Sequence, residues 1–203
     1  SPTVRRSWAA ALHSRVGAVT RRILSFSHPR RFVVGTVGQP GDRTFYLQVT
    51  EDGDPVSVLF EKEQASVLAE KVVELLDQVR RSGVDLPEEP QEHSVDTEPL
   101  GQPIEPEFRV VSMGIGWDPT DEAVIIEAHG ESETDEVPDI GDDADEGPDT
   151  LRVRMSPADA LAFSVRASRV VAAGRPQCPF CHLPIDPDGH ICPRANGYRR
   201  SVG

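Results

Sequence analysis

Three cysteines and one histidine near the C-terminus carry the clearest chemistry in this chain of 203 residues. The stretch reads Gln177-Cys178-Pro179-Phe180-Cys181-His182-Leu183-Pro184-Ile185-Asp186-Pro187-Asp188-Gly189-His190-Ile191-Cys192-Pro193-Arg194. Cys178 and Cys181 are separated by two residues, a spacing at which a tight turn lets two thiolates reach one ion. His190 and Cys192 form a second pair after eight intervening residues. Four soft or borderline ligands close a tetrahedral zinc shell and leave no open coordination position. Pro184, Pro187 and Gly189 favour the reversal that brings the pairs together. So short a segment has almost no core of its own, so metal would supply much of its folding free energy.

Competing readings of the same residues are weaker. Three cysteines cannot all pair into intramolecular disulfides. A lone Cys-x-x-Cys also suits a dithiol redox pair, but that chemistry wants the first cysteine at a helix start, and Pro179 with the prolines after it favours a knuckle. His182 is an alternative nitrogen ligand, although its place directly after Cys181 turns it away from the ion. Three thiolates, one imidazole and Zn(II) carry a charge near -1, which Arg175, Arg194, Arg199 and Arg200 would offset. Those arginines, with Tyr198 as a stacking surface, equally allow contact with nucleic acid.

Two other groups invite chemistry. Asp118, Glu127 and His129 lie on or between strands expected to be neighbours and could converge as an acid–base or metal group in a cleft between two halves. A polar outward face of a sheet yields the same residues, and no nucleophile elbow, zincin helix or paired-carboxylate pattern accompanies them. Gly35, Gly38 and Gly41 resemble a phosphate loop only superficially, because a strand follows where a helix N-terminus would be needed.

The elements that must position these groups follow from periodicity. Strands are expected at 32–37, 44–50 and 56–60, the last two joined at Asp52-Gly53. Ala65, Leu68, Val72, Leu75, Leu76 and Val79 trace one face of a helix over 61–82, stopped by Gly83. Further strands are expected at 108–117, 123–129 and 151–155. Ser156-Pro157-Ala158-Asp159 then caps a second helix that runs to about residue 173. Three strands and a helix thus occur twice. The expected fold class is α+β, with mainly antiparallel sheets from two strand-strand-strand-helix units and a C-terminal zinc knuckle. The expected domains are a basic N-terminal extension at 1–27, an α+β domain at 28–174, and a zinc-binding module at 175–203.

Charge follows the same divisions. The formal charge is -13, yet 85–107 and 131–149 hold 18 of the 34 carboxylates and no Lys or Arg, while 1–31 holds seven arginines and no acid. The rest is close to neutral, so both acidic stretches are expected to be mobile loops. Trp8, Leu12, Val16, Val19 and Ile23 follow a helical spacing among arginines, to be read as a basic amphipathic helix or as an unstructured extension. No stretch approaches a membrane span and no secretory signal is evident, so a soluble intracellular protein is expected.

Two runs make the pattern more specific. The first is Arg30-Arg31-Phe32-Val33-Val34-Gly35-Thr36-Val37-Gly38-Gln39-Pro40-Gly41-Asp42-Arg43-Thr44-Phe45. The second extends from Cys178-Pro179-Phe180-Cys181 through His190-Ile191-Cys192-Pro193-Arg194-Ala195-Asn196-Gly197-Tyr198. With them the chain resembles the actinobacterial family called domain of unknown function 3090 over 23–200, including 113–118 and the final helix. The N-terminal extension lies outside the usual family pattern. The resemblance implies a cytoplasmic bacterial protein with a metal-ligand-like motif at Cys178, Cys181, His190 and Cys192, and no established reaction. The leading expectation is a non-catalytic zinc-binding protein whose metal fixes the C-terminal segment or presents it to a macromolecular partner. An enzyme with a cleft site, or a nucleic-acid-binding protein using the zinc module, is the alternative.

Overall fold

The computed structural model describes residues 20–91, 94–132, 137–174, 178–182, 185, 192 and 194. In chain order the elements are β1 (Ile23–Phe26), β2 (Arg31–Gln39), β3 (Asp42–Thr50), β4 (Val56–Phe60), α1 (Lys62–Arg81), β5 (Pro106–Arg109), β6 (Ser112–Asp118), β7 (Ala123–His129), β8 (Thr150–Met155) and α2 (Pro157–Ala172).

Alternation decides how the strands face. Phe45, Leu47 and Val49 of β3 are buried on one side, opposite Phe32 and Val34 of β2 and Val58 and Phe60 of β4. On β7 and β8 the same side carries Val124, Ile126, Ala128, Leu151, Val153 and Met155. These inner faces join the apolar stripe of α1 and most of α2 in one core, and Phe32 stacks on Phe163 at 4.6 Å between centroids. The β2–β3 turn needs glycine at 38, where φ is 103° and a Cβ would lie 2.5 Å from the Asp42 carbonyl oxygen. That supports turn geometry rather than phosphate binding. Ser156 caps α2 by accepting the Asp159 amide at 3.1 Å, with Pro157 at the first helical position.

Both strand-strand-strand-helix units are present, and two short strands complete them in an unexpected way. β1 leads into the first unit but pairs in parallel with β8 of the second. β5 leads into the second unit but pairs in parallel with β4 of the first. The result is two four-stranded, mostly antiparallel sheets ordered β1-β8-β7-β6 and β2-β3-β4-β5. Each unit therefore lends its leading strand to the other's edge.

This exchange corrects two expectations. The run at 108–117 is not one strand: Val110 donates its amide to Leu59 in one sheet at 2.9 Å, and Val111 donates to His129 in the other at 2.8 Å, so the chain changes sheets between them. The basic N-terminal segment ends neither as a helix nor unstructured, because Ile23 opens β1 and pairs with Thr150. Trp8, Leu12, Val16 and Val19 lie outside the described residues.

The acidic stretches are docked covers rather than mobile loops over the parts described. Leu100 packs against Gly35, so closely that a Cβ there would sit 2.5 Å from it, and Gln48 accepts the Gly101 amide at 2.8 Å. Asp96 is held by Arg31 and Arg166. On the other sheet Ile140 lies over Gly114 and Gly116, and Glu127 accepts the Gly141 amide at 3.0 Å. Arg21 and Arg152 hold Asp142 and Asp143. Asp96, Glu107, Asp142, Asp143 and Asp149, among the carboxylates that made these stretches read as solvated, are counter-charges of arginines just before β1, on the strands and on α2. Among the described residues no helix is long and apolar enough to cross a membrane.

Candidate functional site

Five residues after the C-cap of α2, the chain turns at Cys178 and brings three sulfurs together. The Cys178 carbonyl accepts the His182 amide at 2.9 Å, closing a turn whose last residue has φ of 61°. That turn places Cys178 and Cys181 side by side, and Cys192 joins them, so that all three Sγ atoms lie within 4.8 Å of one another. Cys178 and Cys192 are buried, at 4% and 7% exposure, with their sulfurs 3.7 Å apart. Ligands about 2.3 Å from an ion at tetrahedral angles stand about 3.8 Å from each other. A disulfide needs about 2.05 Å, and none joins these cysteines. The donor set and its spacing therefore fit a metal ion, which the three thiolates could hold.

Neighbouring groups brace this cluster. Arg194 donates to the Phe180 carbonyl at 3.1 Å, tying the Cys192 stretch back to the first turn. Arg43 donates to the Ala173 and Val170 carbonyls at 2.9 and 3.2 Å and lies 5.0 Å over the Phe45 ring, which anchors the end of α2. His182 is exposed and does not belong to the sulfur group, as its position after Cys181 suggests. His190, expected as the fourth ligand, lies outside the described residues, as do Arg175, Tyr198, Arg199 and Arg200.

The second candidate group does not assemble as expected. Asp118 turns to Arg154 and to the Thr120 amide at 2.8 Å, and Arg154 also holds Asp121 at 2.8 Å. The Arg154 hydrogen bond, helped by the Thr120 amide, keeps the Asp118 carboxyl below its ordinary range. Glu127 and His129 do come together, on the outer face of β7, but both side chains are fully buried beneath 137–149. Glu127 accepts from Arg152, which stands opposite it on β8. His129 Nδ1 lies 3.0 Å from Thr150 Oγ1, which also accepts from Arg21 at 3.0 Å. Burial, aided by the charges of Arg21 and Arg152, keeps the imidazole below its ordinary pKa despite Glu127. The three residues thus form no common acid–base or metal group.

Arg21, Thr150 and Arg152 were not singled out by sequence reasoning. Arg152 had a signal, since an arginine alternating with core residues on a strand needs a carboxylate on the neighbouring strand's outer face. Arg21 had none, because its partners are over 120 residues away.

Fold and cluster define a two-sheet α+β protein with a group of three cysteines, two of them buried, that could hold a metal. The chain belongs to the family described as Protein of unknown function (DUF3090), which matches residues 24–192 and so includes all three cysteines. No curated protein and no solved structure matches it.

Proposed function

We propose that this chain is a non-catalytic zinc protein of the cytoplasm, in which Cys178, Cys181, His190 and Cys192 close a tetrahedral shell around one Zn(II). Residues 175–203 then form a knuckle module on the α+β body, and the metal fixes that module against the body or presents it to a macromolecular partner. The carrying observation is the approach of three sulfurs within 4.8 Å, with the buried pair at 3.7 Å. Thiolate-rich tetrahedral sets select zinc among the common divalent ions, and a closed shell leaves no position for a reactant. Three cysteines gathered without a disulfide also suit a reducing compartment.

Elemental analysis of the purified full chain tests this reading. One zinc per chain is expected, and Cys192→Ala should lower that stoichiometry severalfold. An unchanged zinc content in Cys192→Ala would overturn the shell. Loss of zinc in Cys192→Ala but full retention in His190→Ala would keep the thiolates and remove His190 from it.

A further inference from the structure

The buried pair under 137–149 carries chemistry that the metal reading does not use. Among the described residues, three buried side-chain polar atoms lack a hydrogen-bond partner, and two of them, Glu127 Oε2 and His129 Nε2, face each other at 3.6 Å. That gap is too long for a normal hydrogen bond, and both side chains are at 0% exposure. Shielding two polar atoms from water without partners is costly, so the covered state holds free energy that uncovering would release to hydration.

What covers them is a strap fastened almost wholly by charge and backbone. Gly141 donates to Glu127 Oε1, Arg21 reaches Asp142 at 3.1 Å and Pro148 at 2.9 Å, and the Arg21 amide donates to Asp145 at 3.2 Å. Arg152 reaches Asp143 and the Asp142 carbonyl, while Ile140 supplies the apolar contact on Gly114 and Gly116. Every packed element contributes to the surroundings of His129. Its own strand offers Glu127; β8 offers Arg152 and the Thr150 hydroxyl; the segment before β1 offers Arg21; the strap offers Asp142 and Asp143, both turned to those arginines; β6 offers Ser112, opposite His129 in register, and Gly114, and no charged group. Thr150 can satisfy the ring in either state. Its single proton reaches His129 Nδ1 when the ring is neutral, and turns to the Pro148 carbonyl, also at 3.0 Å, when Nδ1 itself carries hydrogen.

We propose that 137–149 is a proton-gated strap: proton uptake at buried His129, beside Glu127, releases it from the outer face of β7 and takes Asp142 and Asp143 off Arg21 and Arg152. A proton on His129 adds a third positive charge beside two guanidinium groups in a site sealed from water, with Glu127 as the counter-charge in contact. Releasing the strap hydrates that charge. The direction follows from linkage. His129 is held below its ordinary 6.5 while covered, so the released form binds more protons, and acid favours release. The effect starts near pH 6.5, grows as pH falls, and levels off below the lowered pKa.

Amide hydrogen exchange of the full chain between pH 7.5 and 5, with intrinsic rates divided out, reads the strap directly. Protection at Gly141, Ala144 and the Arg21 amide should fall with acid, by at most about tenfold per pH unit for one proton, while amides in the middle of α1 stay protected. His129→Gln should flatten that dependence. Reciprocity supplies a second test for the case in which His129→Gln does not fold: Ile140→Ser loosens the strap without touching a titrating group, so it must move the His129 ring titration, followed by NMR, up toward 6.5. Strap protection independent of pH, loss of α1 protection in parallel, or a His129 titration unmoved in Ile140→Ser would each overturn the proposal.

Discussion

Glu127→Ala is the substitution whose cost the geometry fixes best. The carboxylate is fully buried and accepts from Arg152 and from the Gly141 amide. Its removal strands one backbone donor and one guanidinium N–H and opens a small void between β7 and the strap. Breaking a buried ion pair on one side costs about 3–5 kcal/mol. Here the lower end applies, because Arg152 keeps Asp143 at 2.6 Å and the Asp142 carbonyl at 2.9 Å and retains some exposure. A loss of about 3 kcal/mol lowers Tm by roughly 6–12 °C for a chain of this size. Glu127→Gln keeps the acceptor oxygen and the volume and loses only charge, so about 1.5–2 kcal/mol is expected, the lower part of the range for a hydrogen bond to a charged group. Urea unfolding at pH 7 followed by circular dichroism reads both, with an unchanged m confirming comparable exposed surface. A Glu127→Ala protein within about 0.5 kcal/mol of the parent, the level of an ordinary surface change, would mean that water reaches the carboxylate. The docking of 137–149 would then be wrong.

Three further outcomes test other parts of the structure. Gly35→Ala should destabilise by about 1–3 kcal/mol, the usual cost of overpacking, because its Cβ would meet Leu100 at 2.5 Å; thermal unfolding at the parent's level would show that this cover does not press on β2. His182→Gly should leave any bound metal in place and stabilise the turn by up to about 1 kcal/mol, since φ is 61° there and the side chain is not among the sulfur group; metal loss in this variant would make His182 a ligand. The hydrogen bond from Arg31 holds the Asp96 carboxyl below its ordinary 3.8 despite partial burial, and the charge of Arg166 adds to that. Its stabilisation is therefore fully present above pH 3.8 and lost as pH falls through the lowered value. Tm measured from pH 5 to 2 should fall less steeply in Asp96→Asn than in the parent, and parallel curves would refute the assignment.

Local pattern made much of this fold legible, and the misses share one cause. Residues 65, 68, 72, 76 and 79 recur at helical spacing, and Ser156-Pro157 marks a helix start, so both helices stand within a residue or two of expectation. β1 and β5 are four residues each and pair in parallel with strands far along the chain, which no local periodicity can encode. The run at 108–117 has no proline and no turn-forming pair around Val110 and Val111, so nothing in it marks the crossing between them. At the cysteine cluster the thiol spacing pointed to the three residues whose sulfurs meet. The sulfur separations come from a turn that only coordinates can supply.

The acidic stretches failed for a different reason, and the failure is informative about what covers a sheet. Each sheet presents a polar residue on the outer face of its central strand, Gln48 on β3 and Glu127 on β7. Each of these accepts the amide of the glycine in a Leu-Gly or Ile-Gly pair whose apolar member rests on glycine in the adjoining strand. The register makes the positions equivalent, since Gln48 stands opposite Val33 and Ser57 as Glu127 stands opposite Gly114 and Arg152. Yet the first cover follows α1 and the second joins β7 to β8, so the two cannot descend from one connection by simple duplication. The shared demand is physical: an outer sheet face with a buried hydrogen-bonding side chain must be sealed by backbone that supplies an amide and by carboxylates that neutralise the arginines around it. Composition counts those carboxylates as excess charge because their partners, Arg21, Arg31, Arg152 and Arg166, all lie outside the acidic stretches, three of them 65 or more residues away, and net charge carries no information about pairing.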